Sequence, residues 1–278
     1  MISRTDVRLN FKEKINMAKL CAMFSGSSGN CAYVSAGGVS LLVDAGVSAR
    51  SICKALESIG SSINNIAGIL ITHEHSDHIR GLKTLLSKYK IPVYANAGTI
   101  DGILSSMEID SDNFIELKSG GSTLIADIAV SSFCTSHDSR ESVGYRIHTP
   151  DGKQIGIATD LGYVSDTVMN GISGCDAVII ESNHDVGMLQ NGRYPYYLKR
   201  RILSKTGHLS NDDCAKVLPA LCSAGSRYFI LAHLSRDNNI PELALETAIS
   251  SMNLSGIPQD EYEIEVAPRN GPEHILTI

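Results

Sequence analysis

The seven residues Thr72-His-Glu-His-Ser-Asp-His78 constrain this chain more than any other stretch. They follow Ala67–Ile71, a short apolar run of the kind that forms a buried strand, and lead into a segment read as a helix from about Asp77 to Tyr89. On an extended segment alternate side chains share one side, so His73 and His75 face a common point. The chain then turns into the helix, and Asp77 and His78 face a second point. Imidazole and carboxylate are the donors that Zn2+, Mn2+ and iron prefer. Three His and one Asp fall within six residues here, in a chain with nine His in all, and a polar loop would not concentrate them so.

Four donors do not complete two coordination spheres. Three more acidic or imidazole side chains stand in one repeated setting, at the end of an apolar strand-like run. They are His137 after Phe133-Cys-Thr-Ser, Asp160 after Ile155-Gly-Ile-Ala-Thr, and His233 after Tyr228-Phe-Ile-Leu-Ala. The repetition marks all three as the remaining metal ligands.

The frame around these residues is β-rich, then helical, then β-rich and helical again. Strands are expected at Leu20–Phe24, Cys31–Ser35 and Val39–Val43, then between Phe114 and Ala158, and helices at Ala49–Ile59, Asp212–Ala224 and Glu242–Ser251. With 278 residues, 43% of them apolar, the chain can bury one large α/β core. Residues 1–18 read as a poorly ordered extension and 19–278 as a single catalytic domain. No signal-peptide or membrane-spanning run is present, and the seven cysteines show no C-x-x-C spacing, so buried reduced thiols in a cytoplasmic protein are expected. The formal charge of −6 argues against holding nucleic acid by bulk electrostatics; any such contact has to be local and assisted by a bound cation.

The ordered set His73-x-His75-x-Asp77-His78, His137, Asp160, His233 resembles the five motifs of the metallo-β-lactamase superfamily. The resemblance implies a four-layer αββα sandwich and two divalent ions, Zn2+ or Mn2+. By that mapping His73, His75 and His137 hold one ion, Asp77, His78 and His233 the other, and Asp160 bridges them. Flavodiiron redox members carry Glu where this chain has His75, which points to hydrolysis. Two such ions acidify a bridging water and clamp a reacting oxygen, with Asp77 placed to orient the nucleophile.

Further features narrow the branch. The interval between Asp160 and His233 is too short for the second domain that ribonuclease J inserts there. His208, in Thr206-Gly-His-Leu-Ser-Asn, resembles the phosphate-contacting His of tRNase Z and of the phosphodiesterase PhnP, where it helps protonate the leaving group. Glu181, at the end of Ala177-Val-Ile-Ile, resembles the acid that supports that His. His184 is a candidate groove residue or a structural polar contact. Ser210 or Asn211 is a candidate helix cap, and Ser210 is also a candidate groove residue. The turn Phe24-Ser-Gly-Ser-Ser-Gly-Asn30 offers Ser27, Ser28 and Asn30 as neutral donors to a phosphate. The stretch Arg193–Lys205 mixes tyrosines with cations, and Tyr196, Lys199 and Arg200 are candidate contacts to bases and phosphates.

Taken together these motifs resemble the YycJ/WalJ family, bacterial proteins of stand-alone metallo-β-lactamase fold. The resemblance implies a 5′-to-3′ DNA exonuclease, with DNA as substrate and no obligate protein partner. Two other readings use the same ligands: a small-molecule hydrolase, such as a glyoxalase II-like thioesterase or a cyclic phosphodiesterase, and a metal-stabilised binding protein without turnover.

Overall fold

Short apolar runs separated by Gly, Ser and Asn turns pair into two sheets of seven strands. The computed structural model describes residues 17–278. The first sheet takes β1 Lys19–Phe24, β2 Cys31–Ala36, β3 Val39–Val43, β4 Ile66–Leu70, β5 Val93–Ala95 and β6 Phe114–Glu116. The second takes β7 Ser122–Ile125, β8 Ile128–Cys134, β9 Val143–His148, β10 Gln154–Ala158, β11 Ala177–Glu181, β12 Tyr228–Ala232 and β13 Glu263–Val266. The last strand, β14 Leu276–Thr277, returns to pair with β1, so the order is β14-β1-β2-β3-β4-β5-β6 in one sheet and β13-β12-β11-β10-β9-β8-β7 in the other. Strands β3 to β6 run parallel, as do β10 to β13, and parallel neighbours need crossover connections.

Helices supply most of those crossovers: α1 Ala49–Ser58, α2 Ser76–Ile79, α3 Leu82–Lys88 and α4 Ala97–Ser106 in the first half. In the second half they are α5 Asp166–Ile172, α6 Val186–Asn191, α7 Tyr196–Ile202, α8 Asn211–Ser223 and α9 Pro241–Leu254. Five of them start on a side chain that accepts the backbone N–H three residues on: Ser48, Asn96, Ser165, Asp185 and Ser210. Each such cap satisfies an N–H that the first helical turn leaves without a partner.

The strand alternation sorts the apolar residues into three cores. Leu41, Val34, Tyr145, Ile157 and Ile179 fill the space between the sheets. Their neighbours Leu42 and Ile69 point the other way, onto Ile52, Leu56, Leu82 and Leu85 of the first helical layer. On the far side Val178, Ile180, Phe229 and Leu231 meet Val168, Leu218, Leu221 and Met252. Period-two alternation thus makes each sheet apolar on both faces, which gives the expected αββα sandwich.

Several details differ from the sequence reading. The single helix expected from Asp77 to Tyr89 is two, α2 and α3. The Asp77 carbonyl accepts the Asn30 N–H at 2.8 Å, and the Gly81 N–H donates to the Ala45 carbonyl at 2.8 Å, so the helical bond between them is not made. The short helices α5, α6 and α7 were not expected, since six or seven residues carry too little periodicity to read. Residues 1–16 of the expected extension lie outside the described residues. Ala18, placed in that extension, is buried, and its N–H donates to Asp151 at 2.7 Å. Five cysteines are buried as expected, but Cys53 is half-buried and Cys134 exposed.

Backbone hydrogen bonds help stitch the loop Asp44–Val47 to its neighbours. Ala45 N–H donates to the His78 carbonyl at 2.7 Å and Gly46 N–H to the Asn30 carbonyl at 2.8 Å. A Cβ on Gly46 would lie 1.7 Å from the Asp77 carbonyl oxygen, with no side chain in the way to yield. The Gly46→Ala variant is therefore expected to lose about 3 kcal/mol of stability or more, read as a lowered urea midpoint with an unchanged slope.

Candidate metal centre and active site

The site gathers where the parallel strands end. Asp44 follows β3, the Thr72–His78 segment follows β4, Asp160 follows β10, Glu181 ends β11 and His233 follows β12. Side chains beyond the carboxyl ends of parallel strands converge over the sheet edge, which is where open α/β sheets place their ligands. The backbone is strained to achieve this. Asp44, Asp160 and His233 have φ of 64°, 57° and 58°, and with Ala126 they are the non-glycine residues of positive φ among those described. Left-handed backbone at non-glycine residues costs on the order of 1 kcal/mol each and persists where surrounding bonds fix it.

Such bonds are visible for four of the imidazoles. His78 donates from Nδ1 to Asp44 at 2.7 Å, and His137 from Nδ1 to the Gly207 carbonyl at 3.0 Å. His73 Nδ1 lies 3.1 Å from the Thr72 hydroxyl, which itself donates to Asp44. His233 donates from Nδ1 to Glu181 at 2.8 Å. Each of these four rings has its Nδ1 held from outside and its Nε2 facing inward, the arrangement that orients metal-binding histidines, while His75 faces the cluster by Nδ1.

The inward atoms crowd one another. His73 Nε2 is 3.0 Å from His75 Nδ1, and His137 Nε2 is 3.3 Å from that same atom. His78 Nε2 and His233 Nε2 stand 3.7 and 3.5 Å from the Asp77 carboxylate. Asp160 lies between the two groups, 3.3 Å from His78 Nε2 and 3.9 Å from His137 Nε2. In each of the sets His73–His75–His137 and Asp77–His78–His233 the donor atoms lie within 4.8 Å of one another. Asp160 Oδ2 and His233 Nε2 are buried with no hydrogen-bond partner, which is costly unless a cation takes them. The donor set, the inward lone pairs and the two unpartnered atoms all fit bound divalent metal.

The local field makes the same demand. Burial pushes His73 well below the usual imidazole range, and its imidazole neighbours add to the effect. Burial also works against charge on His78, but Asp44, Asp160 and Asp77 outweigh it and raise the group to about 9. For Asp77, burial raises the carboxyl, yet His233 and His78 carry it below the ordinary carboxylate range. These carboxylates favour a positive charge among them.

Glu181 is fully buried and fully bonded. Its Oε1 accepts from His208 Nδ1 at 2.7 Å and from His233 Nδ1 at 2.8 Å; its Oε2 accepts the Leu161 and Leu209 N–H groups at 2.9 and 3.2 Å. Burial would raise this carboxyl, but the two histidines hold it ionised, below its usual range. His208 is thereby fixed by Nδ1 with Nε2 left free, and it lines a cavity of about 240 Å³ together with His75, Asp77, His137, Asp160 and His233.

The expected groove residues divide. Ser27 lines the cavity. Asn30 is buried behind it, accepting the Gly26 N–H at 2.9 Å, with its amide 3.1 Å from His78 Nε2, and it holds the loop. Ser28 offers its carbonyl to Arg80 at 2.8 Å and stays outside. Ser210 is buried as the cap of α8. His184 is buried as well, because the chain after β11 bridges to Ser210 and turns its ring inward; burial lowers its pKa to about 4. On α7 the cavity receives Leu198, Arg201 and Ile202, preceded by Tyr194. Tyr196 is 75% exposed, Arg200 lies over its ring, and Lys199 donates to the Gln190 and Gly192 carbonyls, so these three face elsewhere.

Two functional candidates escaped the sequence reading. Asp44 ends an ordinary apolar strand, and its strand-end position is the same signal that marked Asp160. Arg201 lies within the stretch already singled out, and its Nη2 donates to Asp138 at 2.8 Å, beside His137.

Residues 40–234 match the family model described as beta-lactamase superfamily domain. The chain is 43% identical to "Exodeoxyribonuclease YycJ" of Bacillus anthracis over 79% of its own length and 83% of that protein's. It is 39% identical to "Exodeoxyribonuclease WalJ" of Streptococcus pneumoniae over 84% of its length and 88% of that protein's. Among solved structures, the metallo-beta-lactamase fold protein YhfI of Bacillus subtilis superposes with a TM-score of 0.69, covering 93% of this chain and 99% of that one at 16% identity, a likeness of fold. The chain belongs to the YycJ/WalJ family of the metallo-β-lactamase superfamily.

Proposed function

We propose that this protein is a metal-dependent exodeoxyribonuclease that removes nucleotides from the 5′ end of DNA, using two divalent ions, Zn2+ or Mn2+. The observation that carries the reading is likeness over four-fifths of both chains to proteins named exodeoxyribonucleases, in a chain whose cavity adds His208 and Arg201 to the ligand cluster. His73, His75 and His137 would hold one ion, Asp77, His78 and His233 the other, with Asp160 between them. Ions bound there supply Lewis acidity to a phosphate oxygen and to the attacking water.

The chain's own groups do the rest. Asp77 is only partly covered, lines the cavity and orients the attacking water. Glu181 keeps the proton of His208 on Nδ1 in the resting tautomer and stabilises the ring when Nε2 is also protonated, so His208 can pass that second proton to the leaving oxygen. The charge of Arg201, steadied by Asp138, meets the substrate phosphate at the cavity wall. No helix among the described residues is long and apolar enough to cross a membrane, and the cytoplasm, where chromosomal DNA lies, is the compartment this reading assigns.

With 5′-labelled DNA and added metal, label is expected to appear first as mononucleotide; prior loss of 3′ label would reverse the polarity. Asp160→Ala, or a chelator, is expected to abolish cleavage, and a metal-loaded Asp160→Ala protein with full activity would sink the mechanism. His208→Ala should keep its metal by elemental analysis yet lose about 10²–10⁴-fold in kcat.

Arg201→Ala is expected to raise KM roughly tenfold with kcat nearly unchanged, as for a charge-assisted bond made equally in the bound and reacting states. A fall in kcat at constant KM would instead assign Arg201 to the transition state.

A further inference from the structure

A second cleft, of about 730 Å³, opens between α1 and the α2–α3 turn on the first helical layer. Its cations stand on both walls: Arg50 and Lys54 one helical turn apart along α1, and Arg80 in the α2–α3 turn with Lys88 at the end of α3. All four are exposed, and none lies within 4 Å of a carboxylate among the described residues. Lys83 of the same helix is outside the cleft and is paired, 3.4 Å from Glu108. Glu57 alone among the lining residues is acidic, and Tyr89 adds an aromatic ring. In a chain of formal charge −6 such a concentration of unpaired cations is a local field of opposite sign to the average. Arg80 connects this cleft to the active-site rim. It lines the cleft while its Nη1 donates to the Ser28 carbonyl, one residue from Ser27, which lines the catalytic cavity.

We infer that this cleft binds the phosphate backbone of the DNA strand beyond the nucleotide being cleaved, a site that rests on the nuclease reading above. Two rows of cations facing one groove suit a polyanion with regularly spaced charge, and their contacts with phosphates are independent of sequence. The cleft gives the enzyme grip on a long strand without adding cations to the catalytic cavity.

The test compares the metal-loaded wild type with the Arg50→Ala/Lys54→Ala/Lys88→Ala variant, which leaves Arg80 in place. Two substrates are used, a 20-nucleotide single strand and bis(p-nitrophenyl) phosphate. The variant is expected to raise KM for the long strand about tenfold or more. It should also flatten the salt dependence of log KM by about 2, because each single-strand phosphate that a cation neutralises adds roughly 0.7 to that slope. Turnover of bis(p-nitrophenyl) phosphate should be unchanged, which also shows that the variant is folded. Equal KM and salt slope in both proteins would overturn the cleft while leaving the nuclease reading intact. A wild type that cleaves neither substrate would overturn the nuclease reading itself. Polyglutamate displacing the long strand as well as a DNA competitor, matched for charge, would overturn the assignment to nucleic acid in favour of an acidic protein partner.

Discussion

One buried carboxylate ties the site together. Glu181 lies at 0% exposure, where an unpaired charge would cost several kcal/mol. Its four acceptor contacts offset that cost, and they reach three separate pieces of chain. Leu161 lies just past β10, Leu209 before α8, His233 past β12, and His208 at the cavity. The group that holds a metal-type histidine is therefore the same one that holds the proposed acid. A change in the position of Glu181 would move both rings together, so the spacing between His208 and His233 is set by one rigid anchor rather than by two loops.

Asp44 performs the matching task in the first sheet. It takes the Thr72 N–H at 2.9 Å, the Thr72 hydroxyl and His78 Nδ1, and so fixes the start and end of the His-rich segment at once. Both anchors are buried strand-end acids that hold cavity-lining or ligand-type side chains from behind, one from each sheet. The left-handed backbone at Asp44, Asp160 and His233 is the conformational cost of turning these side chains over the strand ends. Many short bonds from the surrounding loops hold that strain, as the Asn183 amide does on the His233 carbonyl at 2.7 Å.

This division explains what the sequence made legible. Five of the seven ligand-type residues stood out because each is a His, a rare type in this chain, at or just past a strand end; Asp77 stood among them, and Asp160 repeated the setting of His137 and His233. Glu181 stood at a strand end, but its role and that of His208 were read from resemblance to tRNase Z and PhnP; their 2.7 Å contact bridges 27 residues and no spacing rule predicts it. Asp44 carried the same strand-end signal but belongs to a common residue type, and its partner His78 is 34 residues away. The groove was the least legible part. Choosing Lys199 and Arg200 over Arg201 meant guessing the rotation of a seven-residue helix, and one residue turns a side chain by about 100°. Likewise Ser27 and Asn30 share one turn, yet one lines the cavity and the other is buried. Local composition names such a segment; only packing chooses the face.

The acidity of the chain takes on another meaning once the acids are located. Asp44, Asp77, Asp160 and Glu181 are four of its 30 acidic residues, and taking them from the formal −6 leaves −2 for everything else. The excess negative charge sits largely in the site, where divalent cations would neutralise it. What remains exposed is close to balanced, and on the α1–α3 side it is locally positive. Average charge therefore says little here about affinity for a polyanion. Electrostatic attraction decays over a Debye length of about 8–10 Å, so a phosphate responds to the few charges that line its path and hardly at all to the whole-chain sum.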